Sequence, residues 1–230
     1  MSLSDKSVLL VDIGNSAIKW CLGDGDIHAE PIESFNLGKL PIVDEVLVSC
    51  VGDCELLSAV KNTHFVKTQS AYKTLRCGYQ NPSELGVDRW LAMIAVVEQY
   101  SNQSVLVIDA GSALTFDLIL ASGEHQGGLI MPGLSVLRSS FDQFSTNSQQ
   151  IRSHNLANNT KDAWEFGTGY MLISAINAQI ERHLDDFGDL IVVLTGGDSK
   201  IIALRLNYQV KLHQNLVLEG LSNYAQTYRV

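Results

Sequence analysis

Val8-Leu9-Leu10-Val11-Asp12-Ile13-Gly14-Asn15-Ser16 occurs twice in this chain, the second time altered, as Val105-Leu106-Val107-Ile108-Asp109-Ala110-Gly111-Ser112-Ala113. Each copy is a run of aliphatic residues that ends in Asp-x-Gly and small polar side chains. Four aliphatic residues in succession read as a buried strand, and the glycine behind them lets the chain reverse where a side chain would clash. Starts at positions 8 and 105 predict two related halves, residues 1–104 and 105–230. Each half offers a carboxylate and several backbone N–H groups at a strand end, which suits phosphates and a hard metal ion.

The reading extends outward from both copies. Ala17–Leu22 continues the first as a second strand, with a reversal at Gly23-Asp24-Gly25-Asp26. Glu45–Val51 is a further buried strand, residues 54–61 offer a helix, and His64-Phe65-Val66 a short strand. An apolar helix runs from Trp90 to about Tyr100. The second half repeats the order: strands at Val105, Ala113–Leu120 and Gly127–Gly133, then helices over 134–141, 162–183 and 219–228, with a buried strand Ile191–Leu194 that ends in Thr195-Gly196-Gly197-Asp198.

Composition narrows the function classes. Hydrophobic residues make up 46% and charged residues 18%, enough apolar matter for a sizeable core. A net charge of −9 without any Lys/Arg block opposes nucleic-acid binding. No apolar segment nears the roughly 20 residues that cross a bilayer, and no signal sequence is read, so neither nucleic acid nor membrane is expected as a partner and the cytoplasm is the expected location. Cys21, Cys50, Cys54 and Cys77 lack paired C-x-x-C spacing and are expected as reduced structural thiols; zinc is not expected.

Four ordered segments resemble the type III pantothenate kinases of the sugar kinase, Hsp70 and actin superfamily. They are Asp12-Ile13-Gly14-Asn15-Ser16; Gly86-Val87-Asp88-Arg89; Asp109-Ala110-Gly111-Ser112-Ala113-Leu114-Thr115 with Gly127-Gly128-x-Ile130-x-Pro132-Gly133; and Thr195-Gly196-Gly197-Asp198. Each alone is weak, but the ordered set, reaching from about residue 8 to 221, is specific. The resemblance implies an α/β fold of two ribonuclease H-like (actin-like ATPase) lobes, mixed sheets flanked by helices, with a cleft between the lobes. It implies ATP-dependent phosphorylation of pantothenate to 4'-phosphopantothenate, the first step toward coenzyme A, by a homodimer.

The same resemblance implies residue roles. Asp12, Ile13, Gly14, Asn15, Ser16 and Lys19 form the first phosphate loop, with Asp12 near Mg²⁺ through water. Asp109 takes a monovalent cation, K⁺ or NH₄⁺. Ser112, Thr195, Gly196 and Gly197 contact ATP. Tyr79, Gly86, Val87, Asp88, Arg89 and Thr160 line the pantothenate pocket, and Asp88 is the general base. Ser16 and Ser112 stand where the family usually has threonine, keeping a hydroxyl in both places.

Each motif also has a plainer reading. A primary alcohol is a poor nucleophile and a carboxylate within hydrogen-bond reach can take its proton, yet an aspartate before an apolar helix is equally a favoured cap. Arg89 offers a planar fork suited to a carboxylate, or a bridge to a surface acid. The turns at Asp12, Asp109 and Thr195 can be ordinary strand-end turns. Trp90, Met93, Trp164 and Met171 read as core or subunit packing. A kinase of another small alcohol and a noncatalytic nucleotide-sensing regulator remain as alternatives.

Overall fold

The computed structural model describes residues 7–152 and 156–228. The chain forms two compact units: one runs to Ser101 and resumes at Asn215, and the other spans Asn102–Gln214.

In the first unit, β1 (Val8–Ile13), β2 (Ala17–Leu22), β3 (His28–Pro31), β4 (Glu45–Cys50) and β5 (Thr63–Phe65) build a five-stranded sheet in the order β3-β2-β1-β4-β5. A small hairpin of β6 (Ala71–Tyr72) and β7 (Leu75–Arg76) precedes helix α1 (Val87–Gln99). The apolar run of β1 takes the middle position because it can be covered on both faces. Leu9, Val11 and Ile13 pack with Ile18, Trp20, Val46, Val48 and Leu57 on one face. Strand alternation puts Leu10 and Asp12 on the other, where α1 and the C-terminal helix lie.

The second unit repeats this plan. Strands β8 (Val105–Ala110), β9 (Ala113–Ile119) and β10 (His125–Pro132) are followed by α2 (Leu134–Ser139) and the long α3 (Thr160–Phe187). Then come β11 (Ile191–Thr195), α4 (Ser199–Ala203) and β12 (Lys211–Leu212), and the sheet order is β10-β9-β8-β11-β12. Each strand of one sheet thus has a counterpart in the other, β1 with β8 and β4 with β11. Leu106, Ile108, Phe116, Val192 and Leu194 pack under Leu172, Ile173, Ile176 and Ile180 of α3.

The last helix, α5 (Leu216–Tyr228), departs from the division read at residue 104. It packs on α1, β1 and β4 of the first unit. Its approach to α1 is so close that a Cβ on Gly220 would lie 2.0 Å from the carbonyl oxygen of Leu91, which only glycine permits. Two other expectations are corrected. Residues 54–57 form a single 3₁₀ turn rather than a helix reaching 61, because its side chains bury little beyond Leu57.

Cys50 and Cys54, expected as thiols, are joined in a disulfide, while Cys21 and Cys77 are free. A thiol forecast from cellular base rates cannot see that a strand end and the following turn bring two sulfur atoms together. A cross-link over a four-residue separation contributes at most about 2 kcal/mol by chain entropy. Cys54→Ser is therefore expected to lower the unfolding free energy by up to about that amount in urea titrations. A dithiol reductant should erase the difference between variant and parent; a difference that survives reduction would refute the cross-link's contribution.

Candidate functional site

The first unit builds its site from three adjacent strands. Asp12 of β1 is in register with Lys19 of antiparallel β2 and with Ser49 of parallel β4. Residues in register share a face of the sheet, so a cation, a carboxylate and a hydroxyl form one row. Asp12 is the penultimate residue of its strand, and the turn after it closes through Gly14 N–H donating to Ala17 O at 3.0 Å. Asn15 and Ser16 are exposed at the tip. Neighbouring Gly52 lies flat on this turn: a Cβ there would stand 2.2 Å from Gly14 O. The amides of Val51 and Gly52 both donate to Ile13 O.

The electrostatics of the row are unusual. Burial, the largest influence, pushes the Asp12 carboxyl up to about 6; the Ser49 hydroxyl lowers it, the Asp88 carboxylate raises it again, and Lys19 lowers it. Asp12 and Asp88, far apart in sequence, thus feel each other's charge. Asp12 Oδ1 and Ser49 Oγ are both buried; the hydroxyl stands near enough to favour the carboxylate, yet neither atom closes a hydrogen bond of normal length. Buried oxygen atoms are seldom left so, and two together fit the water shell of a magnesium ion, which sheds its waters reluctantly.

Asp88 sits in the first turn of α1, behind Gly86 at the N-cap. It is not the cap itself; its Oδ1 accepts from the Arg89 amide at 2.8 Å, held where the helix dipole favours negative charge. Gly86 gives it room, since a Cβ there would lie 2.5 Å from the same oxygen. Val87 and Arg89 are buried, and Arg89 Nη1 donates to Tyr79 Oη at 3.0 Å, its guanidinium 5.6 Å from the ring centre. The first unit therefore brings Asp12, Lys19 and Asp88 together at one end of its sheet, with Ile13 turned to the opposite face and Gly14 in the turn that follows, and pairs Arg89 with Tyr79. Trp90 and Met93 are fully buried, as core packing requires.

The second unit repeats the row with other side chains. Asp109 is in register with Thr115 of β9 and Thr195 of β11. Gly133 braces the Gly111-Ser112 turn, donating to Ser112 O at 2.9 Å where a Cβ would come within 2.0 Å of Gly111 O. Gly196, at φ +93°, crosses β8 so closely that its Cβ would lie 2.4 Å from both Asp109 Oδ1 and Ala110 O. Only glycine fits at position 196, and its backbone packs directly against the Asp109 carboxylate and the end of β8. Gly197 is exposed, and Thr160 is exposed at the start of α3, whose cap Asn159 accepts from Asp162 N at 2.9 Å.

Several residues escaped the sequence reading. Ser49 and Gly52 carry no motif, and only the register of β4 against β1 reveals them. Fully buried Arg138 is another: it donates to the carbonyls of Ser148, Gln150 and Glu165 and to Thr168 Oγ1. One guanidinium thereby fixes the irregular segment after α2, which no apolar period could predict. Met171, expected in core or subunit packing, is exposed on α3 with Tyr170 and is not part of the core of this chain.

Comparison with known proteins agrees with this architecture. A type III pantothenate kinase from Pseudoalteromonas translucida is 31% identical, over 93% of this chain and 94% of its own length. One from Chromobacterium violaceum is 33% identical, over 95% and 99%. Among solved structures, a Campylobacter jejuni protein described as a Baf family transcriptional activator superposes with TM-score 0.65 at 23% identity, covering 95% of this chain and 98% of that one. MreB5 of Spiroplasma citri, bound to ADP, superposes with TM-score 0.53 at 13% identity, covering 98% of each. These place the fold among the actin-like ATPases. The family model for type III pantothenate kinase matches residues 42–182, and with the curated relatives it shows that this chain belongs to the type III pantothenate kinase family.

Proposed function

We propose that this chain transfers the γ-phosphoryl group of ATP to the terminal hydroxyl of pantothenate, with Asp88 as the general base. The observation that carries this reading is the placement of Asp88 beside the Asp12 row: a Cβ on Gly86, just before α1, would lie 3.9 Å from Val51 Cγ1, and the Val51 amide is bonded to Ile13 O, so the start of α1 adjoins the end of β1. Phosphoryl transfer asks a protein mainly for positioning and charge stabilisation. Asp88 accepts the hydroxyl proton as the oxygen–phosphorus bond forms, from the first turn of α1, where the helix dipole favours negative charge. Lys19 and the amides of Asn15 and Ser16, beyond the Gly14 N–H that closes the turn on Ala17 O, would face the phosphates. Asp12 would hold magnesium through its waters; when bound, the ion neutralises phosphate charge. Asp109 would take the monovalent cation, and Ser112, Thr195, Gly196 and Gly197 contact the nucleotide.

Arg89 would bind the pantothenate carboxylate while Tyr79 holds its guanidinium in plane; Gly86, Val87 and Thr160 complete the pocket, and a homodimer in the cytoplasm is the working state. Among the described residues no helix is long and apolar enough to cross a membrane. Purified protein with ATP, Mg²⁺ and K⁺ should convert pantothenate to 4'-phosphopantothenate, read by mass spectrometry and coupled ADP release. Arg89→Lys, which keeps the charge but loses the fork, should raise KM for pantothenate by about tenfold, the equivalent of 1.4 kcal/mol, with kcat within about twofold. Turnover of a sugar but not pantothenate would reject the substrate, and nucleotide binding without turnover of any alcohol would favour a regulator.

A further inference from the structure

We propose that Ser49 is a positioning residue for phosphoryl transfer, its hydroxyl acting with Asp12 Oδ1 as a two-point acceptor for one water of the hydrated divalent cation. The inference rests on the kinase reading above and adds a residue that none of the sequence motifs contains.

Three observations carry it. Ser49 is wholly buried at the end of β4, directly in register with Asp12. Its Oγ and Asp12 Oδ1 are, with Trp90 Nε1, the buried side-chain polar atoms that lack any hydrogen-bond partner among the described residues. The Ser49 hydroxyl is near the Asp12 carboxylate without closing a hydrogen bond of normal length, which leaves acceptor positions open on both oxygens, and a metal-bound water has two hydrogens to give them. The duplication supplies the third observation. The position of Ser49 in β4 is taken in β11 by Thr195, again in register with the strand-end aspartate, here Asp109. Both halves of the molecule thus place a buried β4-type hydroxyl beside a β1-type carboxylate. The flanks of the row differ: Lys19 lies beyond Asp12, whereas Thr115 lies beyond Asp109. A lysine beside the first aspartate favours the half that meets phosphate.

The surrounding chain keeps Ser49 in place. Val51 and Gly52 amides hold the β4 exit on Ile13 O, and Gly52 has no Cβ to push it away from Gly14. The Cys50–Cys54 disulfide closes the segment immediately after the serine. Nothing about this packing needs a hydroxyl at position 49, so packing alone does not account for a polar atom there.

The test uses the full-length protein and two variants, Ser49→Ala and Ser49→Thr. Binding of Mn²⁺ with ADP is followed by electron paramagnetic resonance, which needs no acceptor alcohol and no turnover. Ser49→Ala should weaken Mn²⁺ binding about tenfold and raise the Mg²⁺ concentration for half-maximal rate by a similar factor, leaving KM for pantothenate unchanged. Ser49→Thr should restore most of both. Thermal unfolding of the metal-free Ser49→Ala protein should stay close to the parent, because the hydroxyl closes no hydrogen bond of normal length and gives up only its weak pull on the Asp12 carboxylate. Unchanged Mn²⁺ affinity in Ser49→Ala, or a loss that threonine does not rescue, overturns the proposal. A parent protein that binds Mn²⁺ and ADP in this Ser49-dependent way, but phosphorylates another alcohol, upholds it while rejecting pantothenate.

Discussion

Asp88→Asn is expected to lower kcat by about 10²- to 10⁴-fold, the range that a positioned general base contributes. Asparagine matches aspartate in size, and its side-chain oxygen can still accept the Arg89 amide that the Asp88 carboxylate now receives at 2.8 Å. The first turn of α1 should therefore keep its shape, and the room left by Gly86 remains sufficient. What the amide cannot do is accept a proton from the alcohol. KM for pantothenate should move little, since Arg89 and Tyr79 are untouched, and loss of kcat with unchanged KM marks an interaction made in the transition state. Mn²⁺ and ADP binding should persist. The measurement is pantothenate-dependent ADP release, with a mass-spectrometric check on the product; rates within threefold of the parent would remove Asp88 from the role of base.

The sequence disclosed the elements whose burial leaves a local trace. Val8–Val11 and Val105–Ile108 are continuous apolar runs because β1 and β8 are covered on both faces, and they read as strands on that ground. Strand β3 left no such trace: His28, Ala29 and Pro31 are exposed, and its existence depends on pairing with β2. Two-residue β12 likewise exists only as the partner of β11. α1 begins three residues before the expected Trp90, since Val87 and Arg89 are buried although a charged pair precedes the apolar run.

The site shows the same division between local and nonlocal. The Asp-x-Gly turns and the Gly-x-Asp-Arg segment were legible, because backbone reversal and chemistry demand those residue types in sequence. Ser49 was not, because its meaning comes from standing opposite Asp12 across two strands that lie thirty-odd residues apart. The fate of α5 was hidden for a similar reason. Its contact with α1 depends on Gly220, and a glycine within an apolar helical stretch announces close approach without naming the partner.

Asp12→Asn should make the metal-free protein more stable at neutral pH and useless as a kinase. In the folded chain the Asp12 carboxyl is raised from 3.8 to about 6, with burial the largest cause and the nearby Asp88 charge adding to it. The folded state thus holds the proton more tightly than the unfolded chain does. From this group alone, stability falls as pH rises from about 4 to about 6 and stays at its lowered value above that. At 1.36 kcal/mol per unit, the cost of an ionised Asp12 is on the order of 3 kcal/mol. Asparagine carries no charge to bury, so urea unfolding at pH 8 without metal or nucleotide should show a gain approaching that figure, shrinking toward zero near pH 4. Adding Mg²⁺ and ADP should reverse the ranking. The parent gains stability in proportion to RT ln(1 + [L]/Kd), while the variant, lacking a carboxylate to meet the hydrated ion, gains far less. Equal destabilisation of the variant at pH 4 and pH 8 would mean that Asp12 supports the fold rather than a ligand. The sign of the pH dependence separates the two, because a carboxylate kept for structure is stabilised by its surroundings, and the one at the end of β1 is held against them.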